Sequence, residues 1–283
     1  MDPPSHTLIV QPARTTSRTA SSHTRSSCSG TSAGDPRPTS PPLDSGMDTW
    51  QLVGSEAVGI HVRDRDDLVL GLTALGLPRS RPVVVLVGGA GRLPPADLDR
   101  LRPLIADGLI PILEEQQAIA IDGGTDAGIM RLVGEERVRR SATFPLIGVV
   151  ANGTIHWPGE PASDDTAELE RHHTHFVVVP GDEWGAEAPW IAHTATALAG
   201  PAPSVTVLVN GGEIAFADVA NSVEAGRPVL VIAGSGRTAD QFAAALRGDP
   251  ADQRAEDLST SGLVSSVPPE PQPMRAAIGS ALE

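Results

Sequence analysis

Residues 83–95 read VVVLVGGAGRLPP. Five apolar residues, four of them valine, run without a polar break into Gly88, Gly89, Ala90 and Gly91. A strand with one wet face alternates polar and apolar side chains. An unbroken apolar run therefore marks a strand covered on both faces, as in parallel sheets sandwiched between helices. The prolines at 94 and 95 suit a helix start, where the missing N–H would be unpaired in any case. The stretch thus reads strand, glycine turn, helix.

The same unit recurs along the chain. EAVGIHV (56–62) predicts a strand and DDLVLGLTALGL (66–77) a helix; PPADLDRLRPLIADGLIPILEEQQ (94–117) is helical. AIAID (118–122) is a strand followed by the helix DAGIMRLVGEERVRR (126–140). PLIGVVA (145–151) and HFVVV (175–179) are strands, and APWIAHTATALAG (188–200) is a helix. VTVLV (205–209) and PVLVIA (228–233) are strands, each leading to a helix, at 213–226 and 238–248. SGLVSSVP and MRAAIGSAL add a short strand and a last helix. This alternation predicts an α/β fold: a Rossmann-like, doubly wound, mostly parallel sheet in a single domain over residues 49–283.

Residues 1–48 are a different material, rich in Ser, Thr and Pro and poor in large apolar side chains. They bury too little surface to offset their ordering entropy, so they are expected to be a disordered tail. Residues 13–34 hold arginines and hydroxyls without an acid, as transit peptides do, but a linker or an over-called start is the preferred reading, with Met47 as the alternative initiator.

Composition narrows the function classes. All 21 basic residues are arginine, which removes lysine-based phosphate loops, Schiff bases and lysine general bases. Anions must be held by arginine, backbone N–H groups or helix N-termini. A net charge of −14 repels nucleic acid and anionic lipid, so neither is an expected partner. A single cysteine, Cys28, excludes intrachain disulfides and cysteine-cluster metal sites and fits a cytoplasmic setting. No apolar run approaches the roughly 18 residues of a membrane span.

Four strands end in glycine turns that precede a helix. Val87 leads to GGAGR, Asp122 to GGTDAG, Val209 to NGGE and Ala233 to GSGR. In open α/β sheets a ligand lies outside the carboxyl ends of the strands. One such turn is ordinary, because glycine is the default wherever φ is positive. Four on one sheet edge point to a phosphate-bearing ligand held by main chain and helix N-termini. Arg237 stands at a helix start, where a cation opposes the macrodipole unless an anion is near; the alternative is pairing with Asp240. Arg92 has a weaker claim. Arg137, Arg139 and Arg140 read as structural, with Glu135→Arg139 and Glu136→Arg140 as i,i+4 pairs.

HHTHF (172–176) is the one histidine cluster. On a strand His173 and His175 would share a face, but with no third ligand packing is preferred to a metal pair, and no metal is expected. Asp182, Glu183 and Glu187 in PGDEWGAE (180–187) are the nearest approach to an acid/base set, against simple helix capping. A G-x-S-x-G nucleophile elbow and the G-x-G-x-x-G dinucleotide fingerprint are both absent.

Taken in order, Gly88-Gly89-Ala90, GGTDAGIM (123–130), HTHF (173–176), Gly211-Gly212 and GSGRTAD (234–240) resemble the SLOG superfamily. The nearest resemblance is to its bacterial LSDAT group, relatives of the N-terminal domain of TRPM cation channels. The resemblance implies a cytoplasmic sensor of nucleotide-derived ligands such as ADP-ribose or NAD metabolites, with no further cofactor required. It implies ligand-binding roles for Gly88, Gly89, Ala90, Gly91, Gly123, Gly124, Thr125, Asp126, His175, Gly211, Gly212, Gly234, Ser235, Gly236 and Arg237. An effector protein or a second copy would receive the signal. A second branch of the superfamily hydrolyses nucleotides through P-G-G-x-G-T-x-x-E. Here that stretch carries Asp182 for the second glycine and Ala186 for the threonine, while Glu187 keeps the acid. If the chain is an enzyme, Glu187 and Asp182 are the catalytic candidates for N-glycoside cleavage. A scaffold that has lost its ligand is the remaining alternative.

Overall fold

The computed structural model describes residues 10–12, 49–52, 54–90, 93–157, 163 and 165–283. Among these residues one ten-stranded sheet forms the centre. Its strands are β1 (Val10–Pro12), β2 (Thr49–Leu52), β3 (Val58–His61), β4 (Val83–Gly88), β5 (Ile119–Asp122), β6 (Leu146–Ala151), β7 (His175–Val179), β8 (Ser204–Val209), β9 (Val229–Ile232) and β10 (Val264–Val267). Their spatial order is β1-β2-β3-β7-β6-β5-β4-β8-β9-β10. The two pairings at the β1 edge are antiparallel and all others are parallel. The expected α/β, mostly parallel, doubly wound sheet is what forms.

The helices are α1 (Arg65–Ala74), α2 (Pro95–Pro103), α3 (Ile110–Glu115), α4 (Gly128–Arg139), α5 (Ala188–Ala199), α6 (Ile214–Glu224), α7 (Arg237–Arg247), α8 (Gln253–Ser259) and α9 (Pro271–Ala281). None is long and apolar enough to cross a membrane. β4 alternates between two cores. Val83, Val85 and Val87 face a core shared with α1, α5, α6, α7 and α8; Val84 and Leu86 face one shared with α2, α3, α4 and α9. That double burial is why the run is apolar throughout, each large side chain contributing about 1.5–3 kcal/mol.

Several features differ from the sequence reading. A strand, β1, lies inside the segment read as a tail and pairs with β2; residues 1–9 and 13–48 lie outside the described residues, and so do Gly91 and Arg92. The helix over 94–117 contains a π-helical segment, Leu104–Leu109, between α2 and α3. Pro103 and Pro111 each remove an N–H from the ladder, and such shifts re-register it. The i,i+4 pairs expected on α4 give way to other partners. Glu136 is fully buried and accepts from Arg102 Nη1 at 2.5 Å and from Arg139, while Arg140 reaches Asp107 and Arg137 Nε donates to the Phe144 carbonyl at 2.9 Å. The cause is packing: Glu136 is buried where α4 meets α2 and the π segment and draws Arg102 and Arg139 to itself, while Glu135, Arg139 and Arg140 stay partly in water.

Candidate functional site

The order in which strands are added to the sheet reverses beside β4, although the strands there all run parallel. β5, β6 and β7 follow on one side of it, and β8, β9 and β10 on the other. The helices after β4 and β8 leave toward opposite cores, which opens a crevice between their carboxyl ends. Three of the four glycine turns meet there, and Asn210 joins them. Its N–H donates to Ser235 Oγ at 2.8 Å, its Nδ2 to the Ser235 carbonyl at 2.9 Å, and its own carbonyl accepts from Ala239 N at 2.8 Å. A Cβ on Gly89 would lie 2.6 Å from Asn210 Oδ1, and one on Gly236 would lie 2.6 Å from Nδ2. Both positions must be glycine for the amide to sit between them. Asn210 holds φ +63°, a region that asparagine tolerates better than most residues.

Ser235 is wholly engaged in this closure. Its hydroxyl donates to the Ile232 carbonyl at 2.6 Å while accepting from Asn210. Arg100 of α2 donates to the Gly234 carbonyl at 2.7 Å, so α2 is tied to the turn after β9. Asp240 Oδ1 accepts from Gly234 N at 2.7 Å. Asp240 is therefore occupied by the loop, and the alternative partner for Arg237 falls away. The Arg237 guanidinium lies against Gly212, where a Cβ would stand 3.1 Å from Nη2. Among the described residues it has no carboxylate partner and no acceptor. Its backbone sits at φ +49°, a left-handed conformation costing about 1–2 kcal/mol. Strain of this kind concentrates at functional positions. The N–H groups of Gly212, Gly236 and Arg237 donate to no described residue. A cation and amides without partners among the described residues thus share one end of the crevice with two helix N-termini, a setting that favours an anion.

The second glycine turn lies on the other side of β4. Gly123 faces open space, whereas Gly124 holds φ +63° with its Cα against Gly148. Thr125 is buried and bridges to Leu169. Asp126 pairs with Arg131 at 2.6 Å and is committed to that ion pair. His175 stands elsewhere. It opens β7, with its ring bonded to Thr174, at the amino edge of the sheet and away from the glycine turns. Burial holds its imidazole down at about 4, with the Arg137 charge acting the same way. His173 and His175 do not share a strand face either, since β7 begins at His175.

Two carboxyls gather where α5 and α6 begin. Glu187 is the residue before α5 and accepts from Gly185 N at 2.9 Å, and Gly185 packs on Ile214 at the start of α6. Burial raises the Glu187 carboxyl above the usual range. Asp218, one turn into α6, is pushed up to about 7 by burial and then by the Glu187 charge, and its Oδ1 has no partner among the described residues. Asp182 instead packs against Gly153. Asn210, Arg100 and Asp218 escaped the sequence reading. Asn210 alone left a signal: a polar residue closing an apolar strand before two glycines.

The family model described as SLOG in TRPM, prokaryote matches residues 81–276. The chain belongs to this family. The matched span holds every turn of the crevice, so the expected SLOG and LSDAT resemblance stands. Mouse transient receptor potential cation channel subfamily M member 2 is 28% identical over 181 residues, covering 51% of this chain and 12% of the channel. The rat channel matches with the same figures. The SLOG chain thus spans about an eighth of the length of these curated relatives. Among solved structures, the molybdenum cofactor binding protein from the phototrophic bacterium Rippkaea orientalis is 14% identical with a TM-score of 0.44, covering 72% of this chain and 98% of that one. The molybdenum cofactor carrier protein of Chlamydomonas reinhardtii is 17% identical with a TM-score of 0.47, covering 71% and 98%. At those values neither bears on the ligand of this SLOG chain.

Proposed function

We propose that the chain is a ligand-sensing module that holds a nucleotide-derived molecule of the ADP-ribose or NAD-metabolite kind in the crevice between β4 and β8. The observation that carries this reading is Arg237, without a partner among the described residues, beside the Gly212 and Gly236 N–H groups that donate to none of them. A phosphate or pyrophosphate meets both needs at once. Residues 88–90, 123–126, 211–212 and 234–237 supply the main-chain wall. Ser235 acts by holding Asn210, and His175 has no part in the ligand contact. A cytoplasmic location and an effector protein, or a second copy, as receiver go with this role.

Calorimetric titration with ADP-ribose, NAD, cyclic ADP-ribose and AMP tests it. At least one should bind, and Arg237→Ala should weaken that ligand about 10- to 100-fold, the worth of a charge-assisted contact. A flat response from folded protein across the panel would overturn the reading. A second reading, N-glycoside hydrolysis, is favoured by the Asp218 carboxyl, pushed up to about 7, beside the Glu187 carboxyl, which burial also raises. Free base released during the same titrations would support it.

A further inference from the structure

The histidine cluster does something that neither ligand contact nor metal binding accounts for. His173 is fully buried between two buried carboxylates. Its Nε2 bonds Asp122 Oδ1 at 2.8 Å and its Nδ1 bonds Glu170 Oε2 at 2.8 Å. A neutral imidazole carries a single N–H and can satisfy only one of these acceptors, so the geometry calls for the doubly protonated ring. Asp122 is the last residue of β5, and its Oδ1 also accepts from Gly124 N at 2.7 Å. Gly124 in turn gives its carbonyl to Glu170 N at 2.9 Å. The hydrogen bonds therefore close a ring through Asp122, Gly124, Glu170 and His173. The Glu170 carboxylate has room because Gly134 of α4 carries no side chain at that point.

We infer that His173 is a positioning residue: as an imidazolium clamped by Asp122 and Glu170, it fixes the turn at residues 122–126 in the shape that leaves Gly123 facing open space. The inference rests on the proposed ligand site for its purpose, but the clamp itself is a statement about the turn. Other charged groups face it. His172 Nδ1 bonds Glu170 Oε1 at 2.5 Å, and the Arg131 and Arg137 charges of α4 act on Glu170. Phe176 stacks on the ring with 5.4 Å between centroids. Burial alone would lower the His173 pKa, yet the two carboxylates carry it up to about 9. The ring stays protonated below that pH and loses one of its two bonds above it.

Hydrogen exchange on the full chain tests the clamp. The peptide spanning residues 120–128 should be protected at pH 7 and exchange at least tenfold faster, beyond the intrinsic pH effect, once the pH passes about 9. His173→Gln, which has one donating group, should show fast exchange at pH 7 and no further step at alkaline pH. Should that variant fail to fold, Glu170→Gln carries the same expectation, and the wild-type pH profile needs no variant at all. Ligand affinity should fall with the protection, while peptides of α7 stay unchanged. Unaltered exchange over 120–128 in a folded variant, together with a flat wild-type profile, would overturn the clamp. If wild-type protein binds no nucleotide, the functional reading fails and the exchange data alone decide the clamp.

Discussion

At the scale of single residues, the crevice depends on side chains that do not touch a ligand. Asn210 spends both its amide and its main chain on closing the turn after β9. Asn210→Ala loses the bond to the Ser235 carbonyl and places alanine at φ +63°, for about 2 kcal/mol in total. Thermal unfolding should shift down by about 5 °C, and ligand affinity should fall with Gly236 and Arg237 no longer held. An unchanged melting curve would show that the turn closes without the amide. Arg237 was legible in the sequence because a cation at a helix start conflicts with the macrodipole. His173 was only half legible. The cluster was visible, but His173 precedes β7, which begins at His175, so its ring lies between acids from β5 and the loop before β7 rather than on a strand face.

At the scale of elements, the parallel βα units were readable because strands buried on both faces leave unbroken apolar runs. β2 was not, since only half its side chains are buried at the antiparallel edge. α8 is a single short helix capped by Asp252, too brief to show a period. The π segment was invisible for another reason: its residues carry ordinary helical periodicity, and only the two prolines disturb the ladder. The contact of α4 with that long helix depends on a buried charge. Arg102 reaches the wholly buried Glu136 from a side chain one-third exposed. Arg102→Ala leaves Arg139 as sole partner, and stability should drop by about 1–2 kcal/mol in denaturant titration, less than for a dry pair because of that exposure. No change in the midpoint would mean that Arg139 alone neutralises Glu136.

For the whole molecule, charge sets a pH optimum. The pKa of His173 is raised in the fold to about 9, so its contribution is complete below its unfolded value of 6.5 and is lost as pH climbs toward 9. Asp218 is also raised, to about 7, and its contribution fades between 3.8 and 7. His175 is depressed to about 4, so stability from it grows over 4 to 6.5 and largely offsets Asp218 there. The expected profile is level in mild acid and falls from about pH 7 to 9 by on the order of 3 kcal/mol. Urea midpoints across pH 5–10 check this, and His173→Gln should remove the alkaline fall. A wild-type midpoint that holds steady to pH 9 would remove the imidazolium from the account.

The placement of β4 between β5 and β8 also sets a timetable. Val83 must wait for Ser204, about 120 residues along the chain, before its second neighbour exists. Until β8 and β9 have been made, the crevice has one wall, neither Asn210 nor Arg237 is present, and a nascent chain has nothing with which to grip a nucleotide. Ligand is therefore expected to act on the finished fold, slowing unfolding without hastening the early steps of assembly.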